Sequence, residues 1–268
     1  MSDALDSDWL QRLHERAAMP PLRPREVLLL QGSGTPIGSL EPALARRLRD
    51  AGLLAGTGTG ACVVAGGDAA LAAIARWLAA EGLASRWRNE LLAVTDAESR
   101  TVGAIERAAV RPLGITTFAV HLVGCSPDGR YWLQRRALDK ATDPGLWDTL
   151  MGGLVAAGES TLQTLERETW EEAGLRLAEL EAVRLLGRLT VRRPVREGYM
   201  VEQIEMFRAV LPEGLVPVNQ DGEVMAFACL DAQTLRDRLA ADAFTLEAAL
   251  ILAHALSDGA SGPTPGPR

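Results

Sequence analysis

The sequence predicts an α/β/α sandwich with a mixed sheet over residues 111–256, a smaller α+β domain over 1–110 and a disordered tail over 257–268. Three observations carry that expectation. Between 114 and 256, short β-rich segments flank one strongly patterned helix, and two amphipathic helices close the stretch. Upstream of 110, apolar strand-like runs alternate with helical stretches and Gly-rich turns. Between the two halves, Arg111-Pro112-Leu113-Gly114 is a break where a domain boundary fits.

Taken in order, residues 6–18 (DSDWLQRLHERAA) have helical spacing with Asp or Ser as N-cap, and Pro20, Pro21 and Pro24 end that helix. REVLLLQ (25–31) reads as a strand, and GSGTPIGSL then turns into a helix near 41–51. After the Gly-rich stretch 56–60 come ACVVAGG and a helix from Asp68 to about Leu83. Residues 88–96 and 100–108 read as two strands, the second alternating apolar with polar. GITTFAVHLVG (114–124) is rich in β-branched residues, SPDGR (126–130) is a hairpin turn, and YWLQRRA (131–137) is its return strand. A helix spans about 161–173, strands lie near 180–191, 199–210 and 224–229, and helices near 231–241 and 245–256.

Composition narrows the function classes. The 268 residues are 47% apolar, enough for a sizeable core. A formal charge of −7 argues against a partner held by a broad basic surface, so no nucleic-acid polymer is expected. Cys62, Cys125 and Cys229 are widely spaced and form no CxxC, which fits neither a disulfide framework nor a structural zinc site. The amino terminus is acidic and no apolar run reaches the length of a membrane span, so a cytoplasmic protein without a membrane partner is expected. The chain holds 27 Arg and a single Lys, Lys140, a bias that a GC-rich genome produces.

The chemistry is concentrated between Gly153 and Leu175. Ser160 and Thr161 are good N-caps, and Gly174 suits the left-handed residue that ends a helix. Glu168, Glu171 and Glu172 stand at i, i+3 and i+4, placing three carboxylates on one helical face. Such charges repel unless a cation stands among them, and a hard divalent ion such as Mg²⁺ commonly bridges carboxylates to substrate phosphates. Arg167, in the same turn, can orient a glutamate by ion pairing. A solvated face of an amphipathic helix is the other reading of these residues alone.

The full spacing resembles the Nudix signature, Gly-x5-Glu-x7-Arg-Glu-U-x-Glu-Glu-x-Gly-U, where U is a bulky aliphatic residue. Gly153, Glu159, Arg167, Glu168, Glu171, Glu172 and Gly174 fill all seven fixed positions, a coincidence on the order of 1 in 10⁸ per starting position. Leu175 agrees with one U position, and Thr169 departs from the other, which implies altered packing with the chemistry intact. The resemblance implies hydrolysis of a diphosphate linked to another moiety, with Mg²⁺ or Mn²⁺ held by Glu168, Glu171, Glu172 and the backbone carbonyl near Gly153. One of these glutamates, such as Glu171 or Glu168, or a glutamate from a later loop would activate water, while Glu159 and Arg167 keep loop and helix in register. Glu223, opening a late strand, is either a further acidic ligand or a charge at a hairpin end.

Substrate phosphates need cations. Arg135 and Arg136 are neighbours on one strand, so at most one faces the site; Lys140 follows in the loop before the signature. Trp147 either stacks on a substrate ring or packs in the core. GSGTPIG (32–38) and GTGTG (56–60) lack the phosphate-loop lysine and read as turns. His14, His121 and His254 read as structural, and Cys125 and Cys229 as buried small hydrophobes.

WRNELLAVTD, RRALDKATDPGLWDTLMGGLVAAGES and TLERETWEEAGL extend the resemblance to Nudix proteins related to the domain fused to thiamine pyrophosphokinase in fungi. That implies a small-molecule diphosphate substrate, damaged thiamine diphosphate analogues or nucleotides among the candidates, and an N-terminal domain that completes the pocket or a homodimer interface. Isopentenyl-diphosphate isomerases are also similar over RRALDKATDPGLWDT, but Gly152 and Leu154 stand near the positions of their catalytic Cys and following His. A non-catalytic sensor on the same fold is disfavoured by the intact glutamates.

Overall fold

The computed structural model describes residues 5–56 and 60–260. Its elements in chain order are α1 (Ser7–Ala17), β1 (Glu26–Leu30), β2 (Pro36–Leu40), α2 (Pro42–Asp50), β3 (Ala55–Gly56), β4 (Ala61–Val64), α3 (Asp68–Ala80), β5 (Leu91–Thr95) and β6 (Thr101–Glu106). They continue with β7 (Thr116–Cys125), β8 (Tyr131–Arg136), β9 (Trp147–Asp148), β10 (Met151–Leu154), α4 (Thr161–Ala173), β11 (Glu181–Val195), β12 (Gly198–Val210), β13 (Val224–Leu230), α5 (Ala232–Ala240) and α6 (Leu246–Ala260).

The C-terminal sandwich is organised by β7. Because side chains alternate across a strand, Val120 and Leu122 join Leu165 and Ala173 of α4 in one core, while Ala119, Val123 and Cys125 join α6 in another. A strand buried on both faces calls for the near-continuous apolar run seen at 118–125. The sheet around it runs β11-β12-β7-β8-β13, with β10 on β7 and β9 on β8. It is mixed: β12 is parallel to β7, while β10 and β8 are antiparallel to it.

Upstream, a four-stranded sheet of order β2-β1-β4-β3 packs with α2 and α3 around Leu28, Leu40, Leu48, Leu71 and Ile74. Helix α1 does not join it. Trp9, Leu13 and Ala17 are buried in the α6 core instead, although α1 comes before every strand in the chain. The β5–β6 hairpin closes onto the sandwich: Leu92 bridges Ala156, and Ala157 N–H donates to the Leu91 carbonyl at 2.8 Å. Leu154 packs against both cores at this junction.

The short strands β9 and β10 are absent from the sequence reading. Pro36–Leu40 is a strand where a turn into the helix is expected. Within the turn-like stretch 56–60, residues 57–59 lie outside the described residues. Helix α6 continues to Ala260, so helix occupies 257–260 of the expected tail; residues 261–268 lie outside the described residues. Among the described residues, no helix is long and apolar enough to cross a membrane.

Candidate active site

Helix α4 is fixed at both ends by its own sequence. Ser160 accepts a hydrogen bond from Gln163 N–H, and the Gln163 side chain accepts from Ser160 N–H at 2.9 Å, a capping box. Gly174 ends the helix at φ 65° in the left-handed region. Leu165 and Ala173 bury one face, which turns the glutamates toward a cleft of about 400 Å³ between α4, the central sheet and the β5–β6 hairpin.

Arg167 is the hub of the acidic face. Its Nε and Nη2 donate to the two carboxylate oxygens of Glu159, each at 3.0 Å, and Nη1 donates to Glu168 at 2.8 Å and Glu171 at 2.9 Å. Glu159 also accepts from the Thr164 hydroxyl at 2.8 Å. These hydrogen bonds, Arg167's first, hold the Glu159 carboxyl below the usual range. Glu159 therefore anchors the arginine that bridges the next two carboxylates.

Burial differentiates the three glutamates. The Glu172 side chain is 1% exposed, Glu168 15% and Glu171 40%. Glu172 accepts from Gln134 Nε2 at 2.7 Å and Gly152 N–H at 3.0 Å, and burial pushes its carboxyl up. Burial, and then the charge of Glu172, pushes Glu168 up to about 7. Lys140 Nζ lies 3.6 Å from Glu172 and pairs closely with Glu223, and burial lowers its ammonium pKa.

The sequence-selected residues separate in space. Arg167, Glu168, Glu171, Glu172, Gly153, Arg136, Lys140 and Glu223 all border the cleft. Arg135 and Trp147 do not. Arg135 points away and donates to the Gly145 carbonyl at 2.9 Å, as strand alternation demands of one member of the pair. Trp147 packs against the α6 core with Arg238 5.0 Å over its ring, so proximity in sequence to the signature does not place it beside the substrate. Glu159 and Gly174 stand outside the cleft lining and shape α4 from behind.

Several cleft residues carried no motif. Arg111 donates to Glu202 at 2.7 Å, and Thr117 donates to the same carboxylate at 2.8 Å. Burial opposes ionisation of Glu202, yet these partners hold its carboxyl below the usual range. Its signal was a charged residue in the buried row Met200, Glu202, Ile204, Met206 of β12. His121 faces the same cleft rather than serving only the core; its Nδ1 lies 2.9 Å from the Thr149 hydroxyl, which itself donates to the Met151 carbonyl at 2.8 Å. Cys229 is only partly buried, unlike Cys125.

The donor set suits a hard cation. Ten acidic side chains border the cleft against seven basic ones, and the α4 donors are all oxygen, the chemistry Mg²⁺ and Mn²⁺ select. Among the described residues no three His, Cys, Asp or Glu side chains converge as an ion's ligand set. Arg167 and Lys140 stand among the glutamates instead, so positive charge already occupies the positions where carboxylates would otherwise repel.

Comparison with known proteins agrees with this geometry. A family model described as the NUDIX domain matches residues 116–250. The chain is 33% identical over 162 residues to Nudix hydrolase 20, chloroplastic, of Arabidopsis thaliana, covering 59% of this chain and 43% of that protein. It is 32% identical over 162 residues to Nudix hydrolase 24, chloroplastic, of the same plant, covering 59% and 44%. The chain thus spans less than half the length of these two relatives. Among solved structures, DR0079 from Deinococcus radiodurans superposes with a TM-score of 0.51 at 21% identity, over 62% of this chain and 99% of that one, a likeness of fold.

Proposed function

The chain belongs to the Nudix family, and on that footing we propose that it hydrolyses the diphosphate linkage of a small organic or nucleoside diphosphate with the help of Mg²⁺ or Mn²⁺. Thiamine diphosphate analogues are included among the candidate substrates on the sequence resemblance alone. The observation that supports the reading best is the cleft-facing set Glu168, Glu171 and Glu172 on a doubly capped helix, the first two bridged by one arginine.

Glu168, Glu171, Glu172 and the backbone carbonyl near Gly153 would hold the metal. When bound there, a divalent ion neutralises diphosphate charge and lowers the pKa of attached water. The remaining work belongs to the chain. Arg167, anchored on Glu159, keeps Glu168 and Glu171 aimed at one region, which fixes the carboxylates before substrate arrives. Glu171 is the most exposed of the three, so water reaches it most readily, and a carboxylate oxygen of Glu171 takes the proton of the attacking water. Lys140 and Arg136 border the cleft on the opposite strand and loop, where they offset phosphate charge.

An isomerase reading fares worse. Gly152 stands opposite His121 in the β7–β10 pair, and a β-carbon there would come to 2.5 Å from the imidazole, so a cysteine at 152 requires that ring, held by the Thr149 hydroxyl, to move.

The test is release of phosphate or monophosphate from a panel of thiamine diphosphate, its oxidised analogues, oxidised nucleotides, ADP-ribose and dinucleotides, with Mg²⁺. Turnover of one compound, reduced about 10²-fold or more in Glu171→Gln, is expected. No turnover with any compound, in wild type and mutant alike, would overturn the hydrolase reading.

A further inference from the structure

We propose that Arg88, delivered by the N-terminal hairpin, is a substrate-binding residue that grips a phosphate group in the cleft. The proposal deepens the diphosphate reading and rests on it for the identity of the ligand.

The cations bordering the cleft differ in what they already hold. Arg107 pairs with Glu90, Arg111 with Glu202, Arg136 with Asp148 and Arg193 with Glu247. Lys140 and Arg167 are engaged by the glutamates described above. Among the described residues, the Arg88 guanidinium is the cation of this cleft without a carboxylate, carbonyl or aromatic partner. An arginine already paired must give up a hydrogen-bonded ion pair to bind phosphate, whereas an unpaired one offers its planar fork of donors at no such cost.

The backbone that carries Arg88 is built rather than loose. Its own N–H donates to Glu106 at 2.9 Å, and that glutamate is buried at 3% exposure. The next residue, Asn89, sits at φ 57°, and its side chain accepts from the Trp87 indole N–H at 2.8 Å. A left-handed non-glycine residue persists where its surroundings fix it. On the far side, Arg107 N–H donates to the Glu90 carbonyl at 2.8 Å, locking the bend to the end of β6. Through Leu91 and Ala157 the same hairpin is hydrogen-bonded to the segment between Gly153 and Glu159. The bend thus sets Arg88 at a fixed place relative to the α4 glutamates. In a cleft with an excess of acidic side chains, an unpaired cation on the wall contributed by the other half of the chain is suited to the phosphate that the α4 centre does not hold.

The experiment measures binding of inorganic pyrophosphate, with Mg²⁺, to the full chain by calorimetry, and KM and kcat for whichever diphosphate the panel identifies. Variants are Arg88→Ala, Arg88→Lys and, as control, Arg86→Ala, an exposed arginine two positions away that does not border the cleft. Pyrophosphate affinity is expected to fall about tenfold or more in Arg88→Ala, with KM raised and kcat nearly unchanged, while Arg88→Lys recovers part of the loss and Arg86→Ala loses none. Equal behaviour of Arg88→Ala and Arg86→Ala, or no pyrophosphate binding by the wild type, would overturn the proposal. Arg88-dependent pyrophosphate binding in a protein that hydrolyses nothing would support the phosphate grip and count against the hydrolase reading alone.

Discussion

Gly153 lies directly against the Glu168 carboxyl: a β-carbon at 153 would stand 2.1 Å from Cδ and 2.3 Å from Oε1 of Glu168. The first glycine of the signature is therefore there for a glutamate of another element, α4, because only a bare backbone lets that carboxyl approach β10. Glu168 is held from the other side by Arg167, so it has little freedom to yield.

Gly153→Ala should accordingly displace Glu168 rather than unfold the chain. The expected result is activity reduced about 10²-fold, the scale of a roughly 1 Å misplacement of a catalytic group, with a melting temperature close to wild type. Diphosphate turnover and a thermal melt on the same preparation check it. Wild-type turnover in the variant would show that Glu168 need not sit where it does.

The contrast with Trp147 and Arg88 explains how much of the site the sequence discloses. Helix α4 was legible because everything that fixes it is local: a cap at Ser160, a left-handed Gly174 and a carboxylate spacing that needs only helical geometry. The sheet of the sandwich was legible for the same reason, since β7, β8 and β12 announce themselves by apolar content. β2 was not, because Pro36 and Gly38 suppress the strand signal and an edge position tolerates both. Trp147 stays open between ring stacking and core packing in the sequence, because nearness to the motif along the chain says nothing about which side of β9 a ring occupies. Arg88 and Glu202 carry no spacing at all relative to the signature; only the docking of the hairpin and the β12–β7 pairing bring them to the cleft.

Thr169 marks where the helix departs from the signature's usual bulky aliphatic. It is fully buried, and among the described residues its hydroxyl has no hydrogen-bond partner. A buried unpaired hydroxyl costs stability that an isosteric methyl does not. Thr169→Val should therefore stabilise the chain by about 1 kcal/mol, raising the melting temperature by about 2–4 °C with activity retained. A drop in melting temperature would mean the hydroxyl is satisfied in solution.

The Glu159–Arg167 pair makes a signed pH prediction. The Glu159 carboxyl is held below its ordinary value of 4.5, chiefly by the Arg167 hydrogen bonds. A group depressed in the folded state contributes stability that is fully present above its unfolded pKa and is lost as pH falls through the folded one. Glu159→Gln should thus be less stable than wild type at pH 6–7, with the gap starting to close as the pH falls past that ordinary Glu value and vanishing only below the depressed folded-state value. Thermal melts of both proteins across that range read the difference directly; a gap that stays constant with pH would assign the loss to packing.

Arg111 and Glu202 tie the segment that joins the two halves to the floor of the cleft, and their energetics can be separated by a double-mutant cycle. Both side chains are largely buried, and Thr117 completes the carboxylate's hydrogen bonding. Arg111→Met removes the guanidinium and leaves Glu202 ionised in a dry environment, at a cost of about 3–5 kcal/mol. Because that cost is the desolvation of an unpaired carboxylate, it should shrink as the pH is lowered and Glu202 takes up a proton. Arg111→Met with Glu202→Leu removes both charges, and the double variant should recover most of the stability lost by the single one, as buried ion pairs replaced by apolar groups do. Chemical denaturation of the four proteins at pH 7 and pH 5 completes the cycle. If the double variant were as unstable as Arg111→Met, the loss would come from the arginine's other side-chain contacts, including its Nη1 hydrogen bond to the Thr117 hydroxyl at 3.3 Å, and not from the ion pair.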